Sequence, residues 1–172
     1  MSDPRTMSDE QLLAECRWEA FRGPGPGGQK RNKTSSAVRV THLPTGLTGE
    51  AGELRSQHQN RVKAVRRLRH RLALDVRQRV EVAGFVRPAW LEQIVREQGT
   101  LRVAVTSDRY PAVMGLVLDV LTATGWRVAE AAELLGLSTG GLVKFLERDG
   151  QLWGKVNQMR PKAGMGVLRA GS

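Results

Sequence analysis

The sequence predicts an α+β chain: a small domain with a β-hairpin, a small sheet and a long basic helix, followed by an all-helical C-terminal region. Three observations carry this. Val38, Val40 and His42 alternate with Arg39 and Thr41, and Pro44-Thr45-Gly46 supplies a turn from which Leu47 to Ala51 returns, so residues 38–52 read as a hairpin. From Ser56 to about Val80 the apolar residues Val62, Val65, Leu68, Leu72 and Val76 recur at helical spacing, with arginines on the other faces. Beyond Val80 the pattern becomes mainly helical, with a helix-turn-helix-like segment near its centre.

The remaining elements follow in order. Ser8 with Gln11 forms a capping box that opens a short helix over residues 9–15. Cys16, Trp18 and Ala20 alternate with Arg17, Glu19 and Phe21, as a strand does. Residues 23–28, Gly-Pro-Gly-Pro-Gly-Gly, are a loop, since glycine and proline both disfavour helix and central strand. Pro88 fits a first helical turn ahead of Trp90, Leu91, Ile94 and Val95, and Leu101 to Val105 reads as a short strand or an extended linker. A helix from about Pro111 to Ala123 is apolar nearly all round and forms the core of its region. Val128 to Leu137, then Ser138 as a cap, then Leu142 to Leu146, resemble a helix-turn-helix. After Asp149 the only charged residues are Lys155, Arg160, Lys162 and Arg169, which read as a weakly basic tail. Two domains are expected, residues 1–80 and 81–172.

Charge narrows the function. The chain has 172 residues, with 27 Lys and Arg against 17 Asp and Glu, for a net +10. Twelve of the basic residues lie between Arg22 and Leu72, opposed only by Glu50 and Glu53. An arginine-rich block of this kind points to a polyanionic partner, with phosphate contacts that give affinity and strong salt dependence. A lone cysteine, Cys16, excludes an internal disulfide framework and a cysteine-built zinc finger, and it reads as a core residue. No apolar run reaches the ~20 residues of a spanning helix, and the polar start resembles neither a signal nor a transit peptide, so a cytoplasmic protein is expected.

The loop at 23–36 carries the chemistry. Gly23 and Gly28 have the spacing of a phosphate-binding Walker loop, but Gln29 stands where that loop needs lysine. A plain surface linker has no need of Gly-Gly-Gln followed by a basic cluster. Arg22, Gly25-Pro26-Gly27-Gly28-Gln29 and Asn32-Lys33-Thr34 together resemble the GGQ loop of class I peptide chain release factors. Ser36-Ala37-Val38-Arg39-Val40-Thr41-His42-Leu43-Pro44-Thr45-Gly46 is similar to that family's hairpin, and Arg55-Ser56-Gln57-His58-Gln59-Asn60 to the opening of its basic helix. The likeness covers residues 16–72.

This resemblance implies hydrolysis of the ester joining a nascent peptide to transfer RNA, within the peptidyl-transferase centre of the large ribosomal subunit. Gly27, Gly28 and Gln29 would be the catalytic residues. The backbone amide of Gln29 would stabilise charge developing as water attacks, a contribution typically worth ~2.7–4 kcal/mol per donor. Gly27 and Gly28 would allow a backbone geometry closed to other residues. Arg22, Lys30, Arg31, Lys33, Arg55, Arg61, Lys63, Arg66, Arg67 and Arg69 would bind ribosomal RNA. The implied partners are the ribosome, ribosomal RNA and peptidyl-tRNA, with no membrane, no cofactor and no metal, acting as a monomer. His42 is expected to serve the hairpin, His58 the first turn of the helix, and His70 the RNA-facing surface. The short stretch before the loop leaves no room for a codon-reading domain, so the expected subtype is codon-independent ribosome rescue. The rival expectation is a nucleic-acid-binding regulator that uses the C-terminal helix-turn-helix-like segment without catalysis.

Overall fold

The computed structural model describes residues 3–22 and 36–171. It divides into two compact units, Met1–Asp75 and Val76–Ser172. The fold is α+β, with a three-stranded antiparallel sheet and seven helices among the described residues.

In the first unit, helix α1 (Asp9–Ala14) begins at the expected capping box, the Gln11 N–H donating to Ser8 Oγ at 3.2 Å. Strand β1 (Cys16–Phe21) pairs with β2 (Ala37–His42), and β2 with β3 (Thr48–Ala51), in the order β1-β2-β3. The register places Trp18 opposite Val40 and Val40 opposite Gly49. Cross-strand partners share a face, so Val38, Val40, Gly49 and Ala51 form one side of the sheet. Helix α2 (Gln57–Asp75) covers that side over β2 and β3, burying Ala64, Val65, Leu68 and Leu72 against Val38, Val40 and Ala51. The approach is close because Gly49 has no side chain: a Cβ there would collide with the Ala64 carbonyl oxygen and lie 2.5 Å from the Leu68 nitrogen. At the hairpin tip Gly46 takes a positive φ of 70°, which glycine adopts without steric cost.

Helix α2 stops at Asp75, five residues short of the expected Val80. The physical reason lies just beyond it. Asp119 is buried and accepts hydrogen bonds from the Gln78 N–H at 2.9 Å and the Arg77 guanidinium at 3.1 Å. A buried carboxylate needs such partners, and supplying them draws this stretch out of helical geometry. Val62, expected on the apolar face, is 47% exposed.

The second unit is helical. Helix α3 (Ala89–Gln98) buries Leu91 and Ile94, with Pro88 as its N-cap rather than inside the first turn. Leu101 to Val105 forms no strand; it is irregular chain, with Leu101 and Val103 buried. Helix α4 (Tyr110–Ala123) is buried nearly all round, as its composition predicted. Helices α5 (Val128–Leu135) and α6 (Thr139–Glu147) follow, joined through Gly136 at φ 74° and capped by Ser138, whose Oγ accepts from the Gly141 N–H at 3.0 Å. The stretch read as a tail is instead a helix, α7 (Gly150–Lys162). Asp149 caps it by accepting from the Gln151 and Leu152 N–H groups, and Leu152 and Val156 are buried. Four of its thirteen residues are apolar, and two glycines dilute the periodicity, so the cap was the readable signal.

Candidate functional site

The expected catalytic residues Gly27, Gly28 and Gln29, with Lys30, Arg31 and Lys33, lie outside the described residues. The structure describes the frame on both sides of them. Phe21 pairs with Ala37, so the chain leaves the sheet after β1 and returns to it at β2 in one place.

Asn60 buttresses that return, and sequence reasoning missed its role. It is fully buried in the first turn of α2, where its side-chain amide donates to the Ser36 carbonyl at 2.7 Å and the Leu54 carbonyl at 2.8 Å. Its Oδ1 accepts from the Leu54 N–H at 3.1 Å. One side chain thus satisfies three backbone groups from two segments. The readable signal was an asparagine inside an otherwise basic helix opening.

His42 is buried as a hairpin residue, with its ring nitrogens 2.8 Å from Thr45 Oγ1 and 3.1 Å from Glu15 Oε2. It ties the turn to the end of α1. His58 is exposed, in the first turn of α2, and His70 is half-buried. Cys16 is half-buried rather than core. Burial, aided by the neighbouring Glu15 carboxylate and opposed by Arg69, pushes its thiol upward, which disfavours the reactive thiolate.

The basic residues divide by surroundings. Along the β3 side of α2, Lys63 reaches Glu53 at 3.3 Å, and Arg67 reaches Glu53 at 2.7 Å and the Glu50 carbonyl at 2.7 Å. The N–H groups of Glu53 itself and of Gly52, with Lys63 and Arg67, hold the Glu53 carboxyl at about 2. On the opposite side Arg69 pairs with Asp9 at 2.6 Å and is only 12% exposed. Arg61 lies over the Trp18 ring, 4.9 Å from its centroid. On the outer face of the sheet Arg39 joins Glu19 and Glu50 and stacks on Phe21, linking all three strands. Arg66 is exposed. Arg22 and Arg55 are exposed and have no charged partner among the described residues. Arg22 is the last described residue before the loop, and Arg55 adjoins the Leu54 backbone that Asn60 holds beside Ser36. Two cations without a charged partner among the described residues therefore lie beside the two ends of the 23–35 segment.

A hairpin and basic helix beside a glycine-rich stretch of sequence suggest a class of domain, and comparison with known families agrees. Residues 10–88 match the RF-1 domain. The chain is 58% identical to peptide chain release factor 1 of Acidiphilium cryptum over 59 residues, covering 34% of this chain and 17% of that protein. It is 44% identical to peptide chain release factor 2 of Beutenbergia cavernae over 85 residues, 46% of this chain and 23% of the relative. A longer alignment, 36% identical over 131 residues, joins it to peptide chain release factor 1 of Blochmanniella floridana, covering 69% of this chain and 37% of that one. These likenesses support a relationship to the class I release factor family, although the chain spans less than two fifths of each of these relatives. Residues 115–147, which include α5 and α6, match a model described as bacterial regulatory protein, Fis family. Among the described residues no helix is long and apolar enough to cross a membrane, and no cluster of side chains is arranged to hold a metal ion.

Proposed function

We propose that this protein hydrolyses the peptidyl-tRNA ester on the ribosome and releases nascent peptide from stalled ribosomes without reading a stop codon. The observation that carries the reading is the RF-1 domain match over residues 10–88, which brackets Gly27-Gly28-Gln29 with the strand, hairpin and basic helix described above. The chemistry asks little of side chains. Water attack on an ester gathers charge on the carbonyl oxygen, and a fixed backbone N–H stabilises it without proton transfer. The Gln29 amide is assigned that part, with Gly27 and Gly28 permitting close approach to RNA. Arg22, Arg55 and the loop cations Lys30, Arg31 and Lys33 anchor the domain on ribosomal RNA; Arg61, Lys63, Arg66, Arg67 and Arg69 extend that surface along α2. In this reading residues 1–80 are the catalytic domain, and residues 81–172, helical from α3 onward, are a docking module in place of codon recognition.

A release assay on ribosomes carrying labelled peptidyl-tRNA tests this. Gly28→Ala, which alters the backbone geometry, and Gln29→Pro, which removes the amide N–H, are expected to lower release by ~10²–10³-fold while ribosome binding persists. Equal release on stop, sense and truncated messengers is the expected signature of codon independence. Release confined to stop codons would overturn that part.

A second reading is favoured by the match of residues 115–147 and by the α5–α6 geometry: a nucleic-acid-binding regulator. Its weakness is electrostatic. Residues 127–149 carry three basic and four acidic side chains, and α6 has only Lys144 and Glu147. A recognition helix near neutrality gains little from phosphate. A specific duplex site, unaffected by Gln29→Pro, would favour this second reading.

A further inference from the structure

The sheet side covered by α2 is covered unevenly. Helix α2 lies over β2 and β3, whereas β1 is an edge strand that the helix leaves largely open. Trp18 belongs to that side by register, opposite Val40, and is 45% exposed. Its large ring meets the guanidinium of Arg61 at 4.9 Å. Val62, next to Arg61, is also exposed, and His58 lies one helical turn before them on the same face. The nearest carboxylate along the strand, Glu19, is on the other face, held by Arg39.

We propose that Trp18, with Arg61 stacked on it, is a docking site for an unpaired RNA base. The size and charge of the strip favour this occupant. Among the described residues of the first unit the exposed large hydrophobic ones are Trp18, Leu43 and Val62, so the strip offers one flat aromatic plane rather than the broad apolar patch a protein partner needs. A nucleobase presents a matching π-face, and aromatic and guanidinium planes stack on any base regardless of sequence. Arg22, which follows the last residue of β1 and has no charged partner among the described residues, lies roughly 13 Å beyond Trp18 along the extended chain, so a stacked nucleotide is followed by a cation placed for its backbone. The site supplies affinity beside the loop and takes no part in ester cleavage. It rests on the RNA-facing reading above, but it can fail separately.

The test measures equilibrium binding of the full chain to a labelled single-stranded RNA of about ten nucleotides, to a blunt duplex of the same length, and to a strand of the same length lacking bases. Trp18→Ala is expected to weaken single-strand binding by ~10- to 100-fold and to leave duplex binding unchanged. Trp18→Phe should retain most of the affinity, which separates lost stacking from lost folding. The strand without bases should bind the unaltered protein as weakly as the intact strand binds the Trp18→Ala variant. Undiminished single-strand affinity in Trp18→Ala, or an equal loss on single strand and duplex, would overturn the proposal. No peptidyl ester is present in the assay, so this outcome says nothing against peptide release, and loss of release in Gln29→Pro says nothing for the stacking site.

Discussion

The two units solve different problems with similar amounts of charge. Met1–Asp75 carries 14 basic and 8 acidic residues, a net +6, and Val76–Ser172 carries 13 and 9, a net +4. In the first unit the charges are sorted. Acidic residues neutralise the flanks of α2, while Arg22 and Arg55 are exposed with no charged partner among the described residues. In the second unit two buried carboxylates serve the fold: Asp119 holds the chain that enters the unit, and Asp149 caps α7. Both units expose cations without a charged partner among the described residues, Arg17, Arg22 and Arg55 in the first and Arg96, Arg102 and Arg109 in the second. Net charge alone therefore does not separate the units; what sets the first apart is that Arg22 and Arg55 lie beside the two ends of the 23–35 segment.

The contrast can be broken most forcefully through packing. Gly49→Ala would force a methyl group into the backbone of α2, which cannot yield as a side-chain tip can. A loss of ~3 kcal/mol or more is expected in the first unit. Hydrogen exchange should show faster opening of β2, β3 and α2, with protection of α4 retained; exchange rising equally in both units would show that they are not separate in stability.

A smaller effect tests the sorting of charge. Removing Arg22 and Arg55 together should lower the salt dependence of RNA binding by roughly one to two units of logarithmic slope. Lys144→Ala with Arg148→Ala should leave it nearly unchanged. Equal slopes for the two double variants would mean that α6 shares the RNA surface after all.

The smallest effect concerns Glu53, whose carboxyl sits at about 2 against an ordinary 4.5. A depressed carboxylate binds its proton more weakly folded than unfolded. Its stabilising contribution is complete above about 4.5 and is lost as pH falls from there through about 2. Glu53→Gln should flatten the acid limb of the stability curve of the first unit in that window. The pairs with Lys63 and Arg67 are solvent-exposed, so added salt should shrink the difference.

Local signals in the sequence were enough for most elements of the fold. The Ser8–Gln11 capping box, the alternation through Val38 and Val40, the Pro44-Thr45-Gly46 turn and the apolar run of α4 each depend on neighbours within a few residues, and each element formed where its pattern lay. The helix-turn-helix was legible for the same reason, from Gly136 and Ser138 between two apolar helix faces. The basic block and the Gly27-Gly28-Gln29 motif were likewise plain in the order of residues.

What periodicity could not supply was partnership between distant residues. It gave α2 five residues too many because the hold of Asp119 on Arg77 and Gln78 joins positions some forty apart in the chain. It gave Asn60 no role, since Ser36 and Leu54 come within reach only when α2 lies on the sheet. It treated the arginines of α2 as one class, although Glu53 takes up Arg67, Asp9 takes up Arg69, and Trp18 takes up Arg61. Secondary structure follows from short-range sterics and hydrophobic spacing, which a sequence states directly. Which cation remains open to a partner depends on what the fold brings beside it, and only the tertiary structure decides that.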